Sequence, residues 1–296
     1  MLRNKKVLVT GAQGFIGKHL VQQLKREGAV IFSLDRRRNP DLNIQSYISD
    51  ITDKDRVGSI VSEIRPELIF HFAGSTLKDA SEEDLMRLNH LATAHFLDAL
   101  TPIDYELFVF PSTSSVYGNT PSFPISESAD VQACTPYGKS KAEAEGRCLQ
   151  HMAQGKPIVI VRPFTVYGPG QENGTTFIPT LVRALKSGSQ LHMYGGDQTR
   201  DYLYINDLID FLMKVAKSDV RREILNCGTG RGTSIRDVES MVCSALGYTS
   251  KGIVYHALRG SDFLYQSADM SKVRTLLDWQ AKMSLEEGLK ETFGLH

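Results

Sequence analysis

Val7-Leu8-Val9-Thr10-Gly11-Ala12-Gln13-Gly14-Phe15-Ile16-Gly17 is the stretch on which the fold turns. A short β-branched and apolar run passes directly into three spaced glycines and then into helix-compatible sequence. Gly11 permits a tight turn, Gly14 lets the backbone approach a pyrophosphate, and Gly17 lets the helix pack closely on the strand. The helix that begins there presents free N–H groups and the positive end of its dipole to phosphate. Eighteen residues after Gly17, Asp35 closes the next strand-like run, where an acid meets the adenosine ribose hydroxyls. Strand, glycine turn, helix and acid in this order predict a dinucleotide site. Asp35 favours NAD over a 2′-phosphorylated cofactor, whereas Arg36, Arg37 and Arg38 directly behind it leave NADP open. Arg36 is the nearest of the three.

The same alternation continues outward. Strands are expected at 7–10, 30–35, 46–50, 68–72, 107–111 and 158–162, with helices at 15–27, 53–64, 83–100 and 137–152 between them. Several of these strands are almost continuously apolar, as when helices cover both faces of a parallel sheet. The expected fold is α/β, a doubly wound Rossmann-type parallel sheet. Beyond residue 165 the rhythm loosens: Pro169, Gly170, Gly174, Pro179, Gly188, Gly195 and Gly196 mark loops around a helix at 180–186. A strand at 224–227 and helices at 234–246 and 284–293 follow. We expect a dinucleotide-binding domain over 1–165, to which 200–230 returns, and a smaller interleaved substrate lobe from 166–199 and 231–296.

Bulk composition excludes several classes. Lys+Arg and Asp+Glu both number 34 in 296 residues, so no basic excess serves a nucleic acid or membrane surface. No apolar run approaches the roughly 20 residues that span a bilayer, and the first one stops at Gly11, too soon for a secretory signal core. A cytoplasmic protein is expected. Cys134, Cys148, Cys227 and Cys243 lack metal-ligand spacing and read as buried free thiols; no metal is expected.

Thr135-Pro136-Tyr137-Gly138-Lys139-Ser140-Lys141 opens a helix on which Tyr137 and Lys141 lie one turn apart. A free tyrosine titrates near pH 10, so a base working near neutrality must be lowered by roughly three pH units, about 4 kcal/mol. The Lys141 ammonium and an oxidised nicotinamide supply stabilisation of that kind. The strand at 107–111 ends in Ser112-Thr113-Ser114-Ser115-Val116-Tyr117-Gly118, at the carboxyl edge where an α/β sheet binds ligands. A hydroxyl there can hold a reacting oxygen and share its proton with Tyr137.

These motifs, with Asp50-Ile51, His71-Phe72-Ala73-Gly74, Arg162-Pro163-Phe164, Arg200-Asp201-Tyr202, Asn226-Cys227-Gly228, Arg259-Gly260 and Asp269, resemble the extended short-chain dehydrogenases, the nucleotide-sugar epimerase/dehydratase family. The resemblance covers nearly the whole chain. It implies Thr113 as catalytic hydroxyl, Tyr137 as acid and base, and Lys141 as its partner. It places Gly11, Gly14, Phe15, Ile16, Gly17, Asp35, Arg36, Asp50, Ile51, Phe72, Ala73, Gly74 and Pro163 around the cofactor, together with Tyr137 and Lys141. On the substrate side it implies Ser75, Thr113 and Thr165 at the sugar, and Thr176, Phe177, His192 and Tyr194 at the nucleoside. Arg200 and Arg259 match the arginines that grip the pyrophosphate, a role suited to a bidentate guanidinium. Such enzymes usually form homodimers through the helix of Tyr137 and its predecessor.

The family's 4,6-dehydratases carry Asp-Glu directly after the catalytic Thr, and its decarboxylases keep Glu at the second of those places. Here Ser114 and Ser115 stand there, and neither is a strong acid or base. The Ser/Thr-rich loop is instead similar to that of the family's 4-epimerases, a resemblance that implies a UDP-hexose or UDP-hexuronate 4-epimerase working by reversible hydride transfer through a 4-keto intermediate. Phe164-Thr165-Val166-Tyr167-Gly168-Pro169 is similar to the UDP-glucuronate 4-epimerases, but Gly170-Gln171-Glu172-Asn173 replaces their Arg-Pro-Asp-Met. The alternatives are an NAD(P)H-dependent reductase of a nucleotide-linked 4-keto-6-deoxysugar and a non-catalytic dinucleotide sensor. Intact Thr113, Tyr137 and Lys141 speak against the sensor.

Overall fold

The computed structural model describes residues 2–38, 43–76, 80–171, 176–250, 252–258 and 264–295. Strands and helices alternate from the start: β1 (Lys6–Thr10), α1 (Phe15–Arg26), β2 (Val30–Asp35), β3 (Gln45–Ile48), α2 (Lys54–Ile64) and β4 (Leu68–His71). Then come α3 (Glu82–Leu85), a π-helical turn (Met86–Leu91), α4 (Ala92–Leu100), β5 (Leu107–Pro111), α5 (Pro136–Ala153) and β6 (Ile158–Pro163). The helix expected at 83–100 is thus continuous but widened in its middle. Such a turn inserts a residue into the helical ladder and re-aims the side chains on it.

The second half contributes β7 (Thr165–Tyr167), α6 (Phe177–Ser187), β8 (Leu191–Tyr194), β9 (Thr199–Arg200), β10 (Tyr202–Tyr204), α7 (Ile205–Lys217) and β11 (Glu223–Cys227). It ends with β12 (Thr233–Ser234), α8 (Ile235–Leu246), β13 (Ile253–His256), α9 (Ser271–Leu277) and α10 (Leu285–Phe293). The α7 helix was not expected from sequence, although Ile205, Leu208, Ile209, Leu212 and Ala216 recur at helical spacing. It fills a definite place. Seven parallel strands form one sheet in the order β3-β2-β1-β4-β5-β6-β11, and α7 packs beside α1 on one face of it.

Alternate strand residues feed the two faces. Val7, Val9, Val109, Val159 and Val161 belong to the core shared with Leu20, Leu24, Phe211 and Leu212 of α1 and α7. Leu8, Leu34, Ile69, Phe108 and Ile160 join Val57, Ile60, Phe96, Leu97 and Cys148 of α2, α4 and α5 on the other. Both layers are dry, which is why these strands read as unbroken apolar runs. Strand order reverses between β1 and β4, and the crevice beyond their carboxyl ends is where such sheets take ligands. Three of the cysteines are buried, but Cys134 is exposed, against the expectation for all four; it lies in the loop before α5 rather than under a helix. Among the described residues no helix is long and apolar enough to cross a membrane.

Candidate active site

At the crevice three pieces of backbone crowd together. A Cβ on Gly11, whose φ is +72°, would lie 2.6 Å from the Phe72 carbonyl carbon and 2.7 Å from the Ala73 nitrogen. One on Gly17 would lie 2.2 Å from the Gly11 oxygen. The turn is closed by Gly14 N–H donating to Gly11 O at 3.0 Å. Gly14 caps α1 without a side-chain acceptor, and half-buried Phe15 and Ile16 follow in its first turn. Asp35 leans into the same turn: Oδ1 accepts the Gln13 N–H at 3.3 Å, while Oδ2 is buried with no hydrogen-bond partner among the described residues. Burial pushes the Asp35 carboxyl up to about 6 against the pull of the Gln13 and Ala12 N–H groups. A buried acceptor left unspent suits a ribose hydroxyl, and the glycine-walled gap suits a pyrophosphate. Arg36, Arg37 and Arg38 are exposed. Asp50 is held below the usual carboxylate range by the Thr52 N–H and hydroxyl, and more weakly by Arg36. Ile51 beside it is buried.

The catalytic candidates come together. Thr113 caps a 3₁₀ turn (Ser114–Tyr117), its Oγ1 accepting from Ser115 N–H at 3.2 Å and donating to Ser115 Oγ at 3.2 Å. The first turn of α5 closes on this loop, because Gly138 has no side chain: a Cβ there would sit 2.8 Å from the Ser115 oxygen. Thr135 caps α5 by accepting the Gly138 N–H at 3.0 Å. Tyr137 is thereby brought close enough to Thr113 for the Thr113 hydroxyl to act on its ionisation. Burial pushes the Tyr137 hydroxyl up to about 12, and the Thr113 hydroxyl works the other way. Lys141 Nζ rests 4.1 Å above the centre of the Phe110 ring, with burial pulling it down to about 8. Tyr137 is therefore held as the neutral phenol near neutrality, whereas Lys141 keeps its proton there with little margin. A positive charge beside the Tyr137 hydroxyl would bring its ionisation down toward neutrality.

Residues assigned to the substrate side lie along the carboxyl-end loops and the second-half strands. Ser75 follows β4, Pro163 ends β6, and Thr165 opens β7. Thr176 caps α6 with its buried Oγ1 lacking a hydrogen-bond partner among the described residues, and Phe177 begins that helix. His192 and Tyr194 stand on β8, which pairs with β13 in parallel. There His256 stacks between them, 5.1 Å from each ring, with His192 Nδ1 2.8 Å from His256 Nε2. Arg200, on β9, donates to Thr199 O at 2.7 Å. Arg259 lies outside the described residues.

The sequence profile of the NAD dependent epimerase/dehydratase family matches residues 7–228. The chain belongs to that family. It is 29% identical to a UDP-glucose 4-epimerase of Mycolicibacterium smegmatis over 306 aligned positions, covering 97% of each chain. Among solved structures it is similar to MoeE5 in complex with UDP-glucuronic acid and NAD, at 32% identity, TM-score 0.89 and 98% of both chains. It is similar also to the UDP-glucose 4-epimerase of Thermotoga maritima with UDP-glucose, at 29% identity and TM-score 0.90, over 98% of this chain and 97% of that one.

Several groups that build this epimerase/dehydratase site escaped the sequence reading. Asn89, in the π-helical turn, accepts from Ser75 N–H at 2.8 Å and donates to Ser75 O at 2.9 Å and Ser140 Oγ at 3.0 Å. It ties the loop after β4 to the catalytic helix. The polar pair Asn89-His90 between Leu88 and Leu91, within an expected helix, was the available signal. Asp201, fully buried, accepts from Thr229 N–H and hydroxyl, Gly230 N–H and Ala268 N–H, at 2.7–3.1 Å. It gathers three segments around Arg200. His71, sandwiched between the Thr10 and Thr93 hydroxyls at 3.1 Å each, is kept neutral by burial, which pulls it down to about 3.

Proposed function

We propose that this chain is a nucleotide-sugar 4-epimerase using NAD, with a UDP-hexose or UDP-hexuronate as substrate. One observation carries the reading: the Thr113 hydroxyl bears on the ionisation of Tyr137, and the next two side chains are the serines 114 and 115 rather than carboxylates. Hydride and proton exchange at one carbon needs a single acid–base group and an oxygen anchor; elimination of water needs more. When bound, NAD accepts and returns the C4 hydride. Thr113 holds the C4 oxygen, and Tyr137 takes its proton as the C4–O bond becomes a ketone. Once the 4-ketosugar has presented its opposite face, Tyr137 gives the proton back and the C4 hydroxyl is re-formed inverted. Atoms and electrons balance within the cycle. Gly14 is assigned to the pyrophosphate, in a turn that Gly11 and Gly17 make possible, Asp35 to the adenosine ribose, and Lys141 to the nicotinamide ribose and to Tyr137. Arg200 and Arg259 are assigned to the substrate pyrophosphate, and His192, Tyr194, Thr176 and Phe177 to the nucleoside. The epimerases of M. smegmatis and T. maritima, and MoeE5 with its UDP-sugars, support the same choice.

The test is incubation of the protein with UDP-glucose or UDP-glucuronate and catalytic NAD, followed by NMR of the anomeric proton. Appearance of the 4-epimer without lasting nicotinamide absorbance is expected, and Tyr137→Phe should abolish it while NAD still binds. Stoichiometric NADPH consumption on a 4-ketosugar, with no epimer formed, would overturn the assignment.

A further inference from the structure

The largest wholly buried polar side chain among the described residues is Arg162, near the end of β6. It lies outside the set just assigned, yet it touches both halves of the catalytic pair's support. Its Nε and Nη2 donate to the two carboxylate oxygens of Glu145 at 2.9 and 2.7 Å. Glu145 is on α5, one turn beyond Lys141 and two beyond Tyr137. On its other side the guanidinium lies 4.7 Å from the centre of the Tyr117 ring, and Nη1 donates to Glu127 O at 3.3 Å. Tyr117 is the last residue of the turn that Thr113 caps, and its hydroxyl donates to Asn226 Oδ1 on β11 at 2.6 Å. Asn226 is itself held, its Nδ2 donating to Ile125 O and its N–H to Glu127, both at 2.8 Å.

We infer that Arg162, with Glu145 and Tyr117, is a positioning group that sets the distance between Thr113 and Tyr137. The two hydroxyls arrive from different elements, the loop after β5 and the helix α5. Apolar packing alone leaves such a separation soft, since sliding α5 along the sheet costs little until a directional contact breaks. A bidentate guanidinium–carboxylate pair is directional in two axes. Its third face carries the Tyr117 ring, so a shift of either element must break hydrogen bonds in a place without water to replace them. A buried pair of this kind gives little net stability relative to apolar residues of similar volume; what it gives here is register. The inference rests on the roles proposed for Thr113 and Tyr137, not on which sugar is turned over.

The paired variant Glu145→Met with Arg162→Met separates register from stability, because it removes both charges together. Tyr137 is read directly by titrating tyrosinate absorbance in the NAD-bound protein, with Tyr137→Phe as the blank. The other ionisable groups facing the pair are Lys141, which Glu145 and Cys148 of α5 and His71 of β4 face in turn, and Glu127 in the loop before α5, which faces Arg162 and Tyr117. A Thr113 hydroxyl turned from Ser115 Oγ to tyrosinate favours ionisation, so moving Thr113 out of reach must raise the pH at which Tyr137 ionises. A cooperative melt near that of the parent is expected, with Tyr137 ionising about one to two pH units higher. Turnover should fall roughly ten- to a hundredfold at little-changed KM. Should the paired variant fail to fold, Tyr117→Phe removes only the bond to Asn226 and should shift Tyr137 the same way by less. A folded variant in which Tyr137 ionises where the parent does overturns the inference, whatever its turnover. Absence of any UDP-sugar activity in the parent would instead count against the proposed function and leave the titration readable.

Discussion

Gly17→Ala and Gly58→Ala are the same chemical change inside two helices, and the structure assigns them opposite signs. In an open helix position alanine is more stable than glycine by about 0.5–1 kcal/mol. Around Gly58 of α2 nothing lies within 4 Å of the added methyl, so Gly58→Ala should raise Tm by about 1–3 °C. At Gly17 the methyl would meet the Gly11 oxygen at 2.2 Å, Ala12 Cα at 2.7 Å and the Ala12 carbonyl carbon at 2.9 Å. Ordinary contacts need about 3.5 Å, so α1 must retreat from the turn by about 1 Å. Overpacking of this kind costs about 1–3 kcal/mol, which outweighs the helical gain. The retreat also carries the first-turn N–H groups away from the phosphates. Losing one or two charge-assisted hydrogen bonds costs about 2–4 kcal/mol, some 30- to 700-fold in Kd. Isothermal titration of the cofactor-free protein with NAD, beside thermal melts of both variants, measures each quantity. Unchanged NAD affinity in Gly17→Ala would refute the steric reasoning, as would a fall in stability of Gly58→Ala.

Two further outcomes follow from the site's electrostatics. Asp35, pushed up to about 6 by burial, costs the cofactor-free protein stability that is absent below about pH 4, sets in as pH rises, and is complete above pH 6. Asp35→Asn should therefore raise the cofactor-free Tm at pH 7.5 but not at pH 4, while weakening NAD and narrowing its advantage over NADP; equal gains at both pH values would contradict this. Lys141, pulled down to about 8, carries a cost that is full below pH 8 and vanishes as pH rises toward 10.5. Lys141→Met should accordingly lose turnover yet melt higher than the parent at pH 7, with the gap closing by pH 10; a lower Tm at pH 7 would show that the charge is already well satisfied.

Much of this molecule was legible in its sequence. The β1–α1 glycine turn, Asp35 and the apolar strands identify the doubly wound sheet, because a helix-covered parallel strand has only one kind of sequence and the turn only one kind of geometry. Tyr137 and Lys141 could be put forward because side-chain chemistry and spacing along a helix are local, and Thr113 because the family resemblance selects it among the hydroxyls after β5. The α7 helix was equally local in its periodicity but lay behind Tyr202-Leu203-Tyr204, which reads as a strand and is one. The π-helical turn carried no comparable signal, since a widened turn changes no residue's propensity.

Only the tertiary structure decided how those residues meet. Gly138 allows α5 to close on the Ser115 carbonyl, Asn89 spans from the loop after β4 to α5, and Arg162 joins Glu145 to Tyr117 across 28 and 45 positions of chain, counted from Glu145 to Tyr117 and from Tyr117 to Arg162. Each is an ordinary residue type in an ordinary run. Its importance comes from a partner distant in sequence, and a partner's place is set by packing of the whole sheet and its two helical layers. Sequence alone therefore determined the fold class and put forward the groups proposed to react, whose chemistry is intrinsic to them. The separation between those groups, on which their reactivity depends, is a property of contacts that exist only once the chain has closed.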